Sequence, residues 1–307
     1  SINDSEFESN MKSADSVKEL KELYQKGIAY MEEKNYPDAI EVFEEILKKS
    51  NNYPNVADKM SEAKSAYKQQ LMSQADEKIN SKDYSGALEI LEKGENYFTD
   101  DSTFSSKITE VKNNVKNTAL SEAESAFSTE GYQKSITIIE TAISFCGENE
   151  ELTNALNKYK AYVPVNIVDI DPSETSRNNK VEKGETGVDN TNQTHKKNLY
   201  AFHRLYSQDD AYAVYPLMGK YDTLTFEAYR SNYDTSTDES ITIKIFGDNT
   251  ELQSIVIDKG FNPNQYSIDI SGVQKLKIVF ESYDTNVFKQ FDKLPGELAN
   301  VIVSKTK

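Results

Sequence analysis

The sequence predicts a chain of two domains, with stacked helical hairpins over residues 1–163 followed by an antiparallel β-sandwich over residues 164–307. Ala, Glu, Lys and Leu, which favour helices, dominate the first part, and this part repeats itself every 48 residues. Thr, Ile, Val and Tyr dominate the second part in short alternating runs, a pattern typical of strands. Pro164 lies at the junction, where it would end a helix.

Two helices are expected in each 48-residue unit, because apolar positions recur at spacings of three and four. Stretches without Pro or Gly predict long helices over 55–82 and 102–130. The turns follow these helices, and we expect Asn35, Asp83 and Gly131 to adopt the left-handed conformation that closes a helix. A tyrosine follows each turn, with a small residue three positions later that lets the helices approach closely. The equivalent pairs are Tyr36 and Ala39, Tyr84 and Ala87, and Tyr132 and Ser135.

The turn-centred part of each unit resembles the tetratricopeptide repeat. In the first unit Gly27, Tyr36, Ala39 and Phe43 occupy that family's small and aromatic positions. The family period is about 34 residues, so a period of 48 implies a longer first helix here. The resemblance implies a scaffold or binding surface built from stacked units. Three lysines share one repeat position and line either a solvated face or a ligand groove: Lys64, Lys112 and Lys160.

Composition and charge exclude several kinds of partner and site. The formal net charge of −16 disfavours nucleic acid and anionic membranes as partners, and no run of 18 apolar residues predicts a membrane span. A single cysteine, Cys146, excludes an internal disulfide, and two histidines leave little for a zinc centre. We therefore predict neither a cofactor nor a metal site. The chain begins at Ser1 without Met or signal peptide, and we expect a trimmed or mature form of a longer protein.

The second part reads as nine short strands with no long helix between them, which predicts an antiparallel sandwich. The polar stretch 171–197 is expected to be a long loop. The predicted strands are 165–169, 199–205, 211–215, 224–229, 241–246, 252–257, 265–270, 276–280 and 299–303.

Three ordered motifs in this part resemble the NPCBM family of carbohydrate-binding modules. They begin at Gly219, Ile243 and Ser267, and they read GKYDTL, IKIFGD and SIDISGVQKLKI. The resemblance implies a galactose-binding-like jelly roll that binds sugar at a bacterial surface or beside a glycosidase. It departs from the family where a recurrent His-Ala pair is replaced by Asp210 and Ala211.

Sugar binding requires aromatic faces that stack on pyranose rings and planar polar groups that bond hydroxyls. Such groups are concentrated at 228–234, between two predicted strands. The candidate ligand-binding residues are Tyr206, Tyr229, Arg230, Asn232, Tyr233 and Asp234. The alternative is a polar inter-strand loop whose tyrosines cover the core. Asp234, Asp238 and Glu239 could also be read as calcium ligands, although their spacing does not match an EF-hand.

No nucleophile, metalloprotease, phosphate-loop or dinucleotide motif appears, so we predict a protein that is not an enzyme. His195 is placed in the polar loop and His203 in a strand, each as a surface or half-buried residue. The sequence favours a bacterial surface or secreted protein that binds a glycan or a cell-envelope protein. The alternative is a structural protein–protein interaction scaffold that has no sugar site.

Overall fold

The computed structural model describes residues 4–203, 209–232, 240–282 and 292–306. Contacts between Cα atoms divide the chain into two compact units. The first unit comprises residues 1–119 and 142–147, and the second comprises residues 120–141 and 148–307. The predicted domain boundary after Val163 stays a prediction. No helix within the described ranges is long and apolar enough to cross a membrane.

Seven helices in the described residues precede the strands, as the sequence predicts. Their bounds are α1 Asp4–Glu32, α2 Tyr36–Lys49, α3 Val56–Asn80, α4 Tyr84–Tyr97, α5 Thr103–Thr129, α6 Tyr132–Cys146 and α7 Glu150–Lys160. The two long helices expected over 55–82 and 102–130 are confirmed as α3 and α5. Three shorter helices begin at the tyrosines of the predicted turns, namely α2, α4 and α6.

The expected turn conformation was wrong at two of three positions. The left-handed residues are Lys34 (φ 60°) and Lys82 (φ 62°), not Asn35 and Asp83. Asn35 and Asp83 instead lie one position later, at the N-caps of the following helices. The Asp83 carboxylate accepts a hydrogen bond from the Gly86 amide at 3.0 Å, so its role is to cap α4.

Close helix packing depends on small side chains, as predicted. Ala39, Ala87 and Ser135 have no exposed surface. A methyl group added at Gly94 would overlap the ring of Phe104, which is itself fully buried. These positions allow neighbouring helices to approach closely, so the hairpins bury their apolar faces against one another.

Eleven strands in the described residues form two antiparallel sheets, which is the predicted sandwich. The first sheet has the order β3-β4-β11-β6-β9, with β1 also paired to β11, and the second has the order β2-β5-β10-β7-β8. The strands are β1 Val165–Asn166, β2 Glu174–Thr175, β3 Lys180–Val188, β4 Thr194–His203, β5 Ala211–Pro216, β6 Thr223–Arg230, β7 Ile241–Gly247, β8 Thr250–Ile257, β9 Asn264–Asp269, β10 Lys275–Ser282 and β11 Asp292–Ser304.

Two segments before residue 200 differ from the sequence prediction. The strand expected over 165–169 is only β1, followed by a turn of 3₁₀ helix at Ile167–Asp169. The stretch 171–197, expected to be a loop, contains β2, β3 and the start of β4. The prediction failed because β3 carries polar residues on its exposed positions and glycines at Gly184 and Gly187, so aliphatic alternation is absent.

Two residues change which face of the first sheet the side chains occupy. Lys197 in β4 and Asn300 in β11 both have left-handed backbones (φ 49°), and the pairing of β11 with β6 shifts between Ala299 and Ile302. Such irregularities reverse the in–out alternation of a strand. As a result, His195 in the first half of β4 lies on the same face of the first sheet as Asn198 in its second half.

Candidate functional site

The six predicted ligand-binding residues fall into three groups. Tyr229 and Arg230 are the last two residues of β6, and Asn232 follows them as an exposed residue. Tyr206, Tyr233 and Asp234 lie outside the described residues, as do the calcium candidates Asp238 and Glu239. The run 228–234 therefore begins inside a strand, not between strands as the sequence analysis placed it.

Tyr229 and Arg230 are buried, with 0% and 1% of their surface exposed. Alternation along β6 directs Ala228 into the core between the sheets and Tyr229 to the opposite face of the first sheet. There the Tyr229 ring stacks on the ring of His195, with centroids 4.2 Å apart and planes 16° apart. In this conformation Tyr229 offers no face on which a sugar could stack.

His195 is the centre of a cluster on this face that we call the histidine clamp, formed by Asp189, His195 and Glu227. Its Nε2 lies 2.8 Å from Asp189 Oδ2, and its Nδ1 lies 2.9 Å from Glu227 Oε2. The histidine is 6% exposed and Asp189 is fully buried. Each ring nitrogen therefore has a carboxylate oxygen as its hydrogen-bond partner. The clamp thus ties the β3–β4 hairpin to β6.

Asp189 is the most heavily bonded carboxylate of the clamp. Its Oδ1 accepts hydrogen bonds from the Thr191 amide (2.8 Å), the Thr191 hydroxyl (2.7 Å) and the Gln193 amide (2.9 Å). Burial of the carboxylate opposes ionisation, but hydrogen bonds from His195, Gln193 and Thr191 outweigh it and lower the pKa of Asp189 to about 2. The tight turn after β3 is therefore held by an ionised, buried side chain.

A second buried carboxylate, Glu297 of β11, lies on the other side of Tyr229. The Tyr229 hydroxyl donates to Glu297 Oε2 at 2.6 Å, and the Asn198 amide donates to the same oxygen. Lys293 completes the cluster with an ion pair to Glu297. Burial raises the pKa of Tyr229, and the neighbouring Glu297 raises it further, so the hydroxyl stays a donor.

Glycine allows β3 to cover this cluster. A side chain at Gly187 would overlap the Tyr229 hydroxyl, and one at Gly184 would overlap the Asn198 carboxamide. The same close approach excludes water from Glu297, which has no exposed surface. The network is thus a structural base beneath the end of β6.

Several connections converge at this end of the sandwich. Asp189 pairs with Ser231 in an isolated bridge, and the Asn190 amide donates to the Arg230 carbonyl at 2.9 Å. The Asn190 carboxamide donates to the Phe261 carbonyl at 2.9 Å, and the Ser231 amide donates to the Pro295 carbonyl at 2.7 Å. The β3–β4 turn, the end of β6, the β8–β9 connection and β11 therefore meet beside Asn232.

Sequence reasoning missed the clamp. His195 was expected in a loop as a surface or half-buried residue, but it is a buried residue of β4. His195 lies among the polar residues of 189–196, so no hydrophobic period marks it as buried. The left-handed backbone at Lys197 reverses the alternation of β4, so alternation alone does not place His195 and Asn198 on the same face. Asp189 and Glu227 carried no signal that separates them from the other acidic residues.

The contacts of the histidine clamp hold its own side chains and strands in position. Both ring nitrogens of His195 contact carboxylates, so neither faces a hydroxyl or thiol nucleophile. Glu227, whose side chain is 22% exposed, is the member that solvent can reach. Within the described ranges no group of His, Cys, Asp and Glu is arranged to hold a metal ion.

No family model matches the chain, and no curated protein matches it either. Several solved structures are similar to its β part. The structure of CBM51-2 in complex with GlcNAc and INT domains from Clostridium perfringens ZmpB has 14% identity and a TM-score of 0.37, covering 47% of this chain and 32% of that one. The CBM51 of Clostridium perfringens GH95, in complex with methyl-galactose, has 14% identity and a TM-score of 0.37, covering 46% and 100%.

The tandem CBM51 modules of a family 98 glycoside hydrolase from Streptococcus pneumoniae are also similar to the chain. They have 9% identity and a TM-score of 0.36, covering 47% of this chain and 47% of that one. The chain thus spans about a third of the ZmpB structure and about half of the tandem modules. At identities and TM-scores this low, the similarity assigns neither a family nor a ligand to this chain.

Proposed function

We propose that this protein is a non-catalytic glycan-binding protein whose sandwich binds sugar at the end of β6. The helical hairpins serve as the scaffold that carries this module. Asn232 is the exposed contact residue in this proposal, and Tyr206, Tyr233 and Asp234 are further contact candidates. Tyr229 and Arg230 then act as buried positioning residues beneath the site.

The convergence of two connections and two strands beside Asn232 is the observation that carries this proposal. Ligand sites of sandwiches are usually formed by loops at one end, on a rigid base. The clamp and the Glu297 network supply that base here. Asn190 Oδ1 is buried at this junction and has no hydrogen-bond partner among the described residues, so a polar group there would find an acceptor.

The three NPCBM-like motifs support the same assignment. They fall on β6 and the turn before it, on β7, and on β9 and β10. On this basis we propose that the protein acts at a bacterial cell surface or in secreted form. Its partner is a glycan or a glycan-bearing cell-envelope protein.

We further propose that the hairpins are tetratricopeptide-like repeats of 48 residues. The starts of α2, α4 and α6 at Tyr36, Tyr84 and Tyr132 have this spacing. Two ion pairs support it as well, since Glu44–Lys64 at 3.4 Å and Glu140–Lys160 at 3.1 Å differ by 96 residues, or two periods, at both partners. Two of the three lysines that the sequence analysis selected, Lys64 and Lys160, thus pair with acidic residues at an equivalent position.

A glycan array probed with the full chain tests the proposal. Isothermal titration with methyl-galactose and GlcNAc, the sugars of the similar structures, follows it. We expect saturable binding at micromolar to millimolar concentration that Asn232→Ala weakens about tenfold. Asn249→Ala, an exposed amide in the β7–β8 turn, is the matched control. Saturable binding unaffected by Asn232→Ala would refute the site, and absence of binding across the array would refute the function.

A second candidate is a structural protein–protein scaffold without a sugar site. The burial of Tyr229 and Arg230 favours it, because two of the six candidate residues then contact only protein. The absence of tryptophan from the sequence favours it too, since tryptophan offers the largest stacking surface. Binding of an envelope protein by a chain that fails on every glycan would select this candidate.

A further inference from the structure

The first unit carries an exposed aromatic residue that the glycan proposal does not use. Tyr97, the last residue of α4, is 41% exposed, and it is the only aromatic side chain in the described part of the chain that is exposed to this degree. Its ring packs edge-on against Tyr67 with centroids 5.0 Å apart, so it is fixed in orientation. An exposed, rigid aromatic side chain of this kind is typical of a binding surface.

Two open clefts adjoin Tyr97. One, of about 510 Å³, runs along α4 and is lined by Glu89, Glu92, Lys93, Asn96 and Tyr97. The other, of about 440 Å³, lies between α2, α3 and the α4–α5 connection. Its lining residues are Glu44, Lys64, Tyr97, Phe98, Thr99, Asp100 and Asp101. Tyr97 thus separates two halves of one continuous surface, which we call the Tyr97 surface.

The charges of the Tyr97 surface are unbalanced. Lys64 pairs with Glu44 at 3.4 Å, and Lys68 pairs with Asp101. Within the described ranges Glu89, Glu92 and Asp100 form no ion pair. Lys93, which lines the same surface and lies 6.0 Å from the Tyr67 ring centroid, forms no ion pair within the described ranges either. Three unpaired carboxylates against one unpaired ammonium therefore leave an excess of negative charge for a ligand, on a chain whose net charge is −16.

We propose that the Tyr97 surface binds an arginine-containing basic peptide segment of a partner protein. An arginine guanidinium stacks on an aromatic ring and bonds a carboxylate with two parallel hydrogen bonds, which matches a tyrosine flanked by acids. The stretch of α4 from Glu89 to Tyr97 is about 12 Å long, and an extended peptide covers it with about four residues. A neutral glycan would leave the unpaired carboxylates without a counter-charge, and an anionic lipid would be repelled.

This inference extends the scaffold role and is independent of sugar binding, because it depends on the first unit alone. The test uses fluorescence anisotropy of the full chain with a labelled GRGRGRGRG peptide, and GEGEGEGEG as the matched acidic peptide. We expect micromolar affinity for the basic peptide and none for the acidic one. Glu89→Gln combined with Glu92→Gln should weaken binding at least tenfold. The control combines Glu32→Gln with Glu33→Gln, two exposed acids at the end of α1 and in the turn after it, outside the surface, and should bind within twofold of the wild type.

The aromatic ring is tested by a second pair of variants. Tyr97→Phe keeps the ring and should bind within twofold of the wild type, whereas Tyr97→Leu should bind about fivefold more weakly. Equal affinity in the two glutamine pairs would mean that only net charge attracts the peptide and would overturn the proposal. Failure to bind the basic peptide would overturn it as well. A third outcome would overturn the proposal too: spermidine at equal charge concentration displaces the peptide, and Tyr97→Leu binds the peptide with full affinity. The surface would then bind any free polycation.

Discussion

The first unit and the sandwich use charged residues in opposite ways. In the helices the ion pairs lie at the surface, as in Lys59–Glu62, whose side chains are 36% and 58% exposed. In the sandwich Asp189 and Glu297 are fully buried and surrounded by donors. Exposed pairs contribute little to stability, whereas loss of one partner from a buried network leaves the others uncompensated. The comparison indicates that the helices depend on apolar packing and the sandwich end on polar bonding.

The largest expected effect follows from removing Glu297. Glu297→Ala deprives the Tyr229 hydroxyl, the Asn198 amide and the Lys293 ammonium of their shared partner. We expect the free energy of unfolding to fall by about 3–5 kcal/mol. Urea unfolding, combined with hydrogen exchange at β6 and β11, measures it. In the helices, Glu62→Ala should cost less than about 1 kcal/mol. Similar losses in the two variants would contradict the comparison.

The ionisation of Asp189 gives a pH dependence of the order of 2 kcal/mol. Its pKa of about 2 lies below the ordinary value of 3.8, so the ionised carboxylate stabilises the fold above pH 3.8. That contribution is lost as pH falls from 3.8 through 2. In Asp189→Asn, stability should therefore decline less between pH 5 and pH 2 than in the wild type. Asp171→Asn, at a fully exposed carboxylate, is the control and should follow the wild type.

A packing test in the helices should give a smaller effect. Gly94→Ala adds a methyl group that overlaps the buried Phe104 ring. The expected loss is about 1–3 kcal/mol from overpacking, reduced by about 1 kcal/mol because alanine favours a helix. Thermal unfolding followed by circular dichroism measures it, with Glu95→Ala on the exposed face of α4 as control. A stabilised Gly94→Ala variant would show that the helices pack more loosely than described.

The smallest effect compares two equivalent turns. Asp83 caps α4 through its bond to Gly86, whereas Asn35 makes no such bond at α2. Asp83→Ala should lower stability by about 1 kcal/mol, and Asn35→Ala by less than half of that. The melting temperatures of the two variants provide the measurement. A larger loss in Asn35→Ala would reverse the assignment of the capping role.

The fold class could be predicted from the sequence because the spacing of apolar residues along the chain depends only on neighbouring positions. Spacings of three and four indicated helices, the absence of Pro and Gly placed α3 and α5, and alternation placed most strands after residue 199. The clamp could not be found in this way, because Asp189, His195 and Glu227 come together only when the sheet β3-β4-β11-β6 has formed. The left-handed backbone at Lys197 also reverses the in–out alternation of the β4 side chains, and no local sequence pattern indicates this reversal.

The proposed sugar site was only partly accessible to sequence reasoning for a related reason. A cluster of Tyr, Arg, Asn and Asp indicates binding chemistry, but it does not separate contact residues from supporting ones. Burial makes that separation, since Tyr229 and Arg230 lie beneath the surface and Asn232 lies on it. Tyr206, Tyr233 and Asp234 stay predictions.

The central claim is that the sandwich binds a glycan beside Asn232, on a base formed by the histidine clamp. Crystals of the full chain soaked with the sugar that binds best on the array test it most directly. We expect density for one sugar within hydrogen-bond distance of the Asn232 carboxamide, with Tyr229 still stacked on His195. Density for that sugar at another place on the protein, or none at a saturating concentration, would contradict the claim.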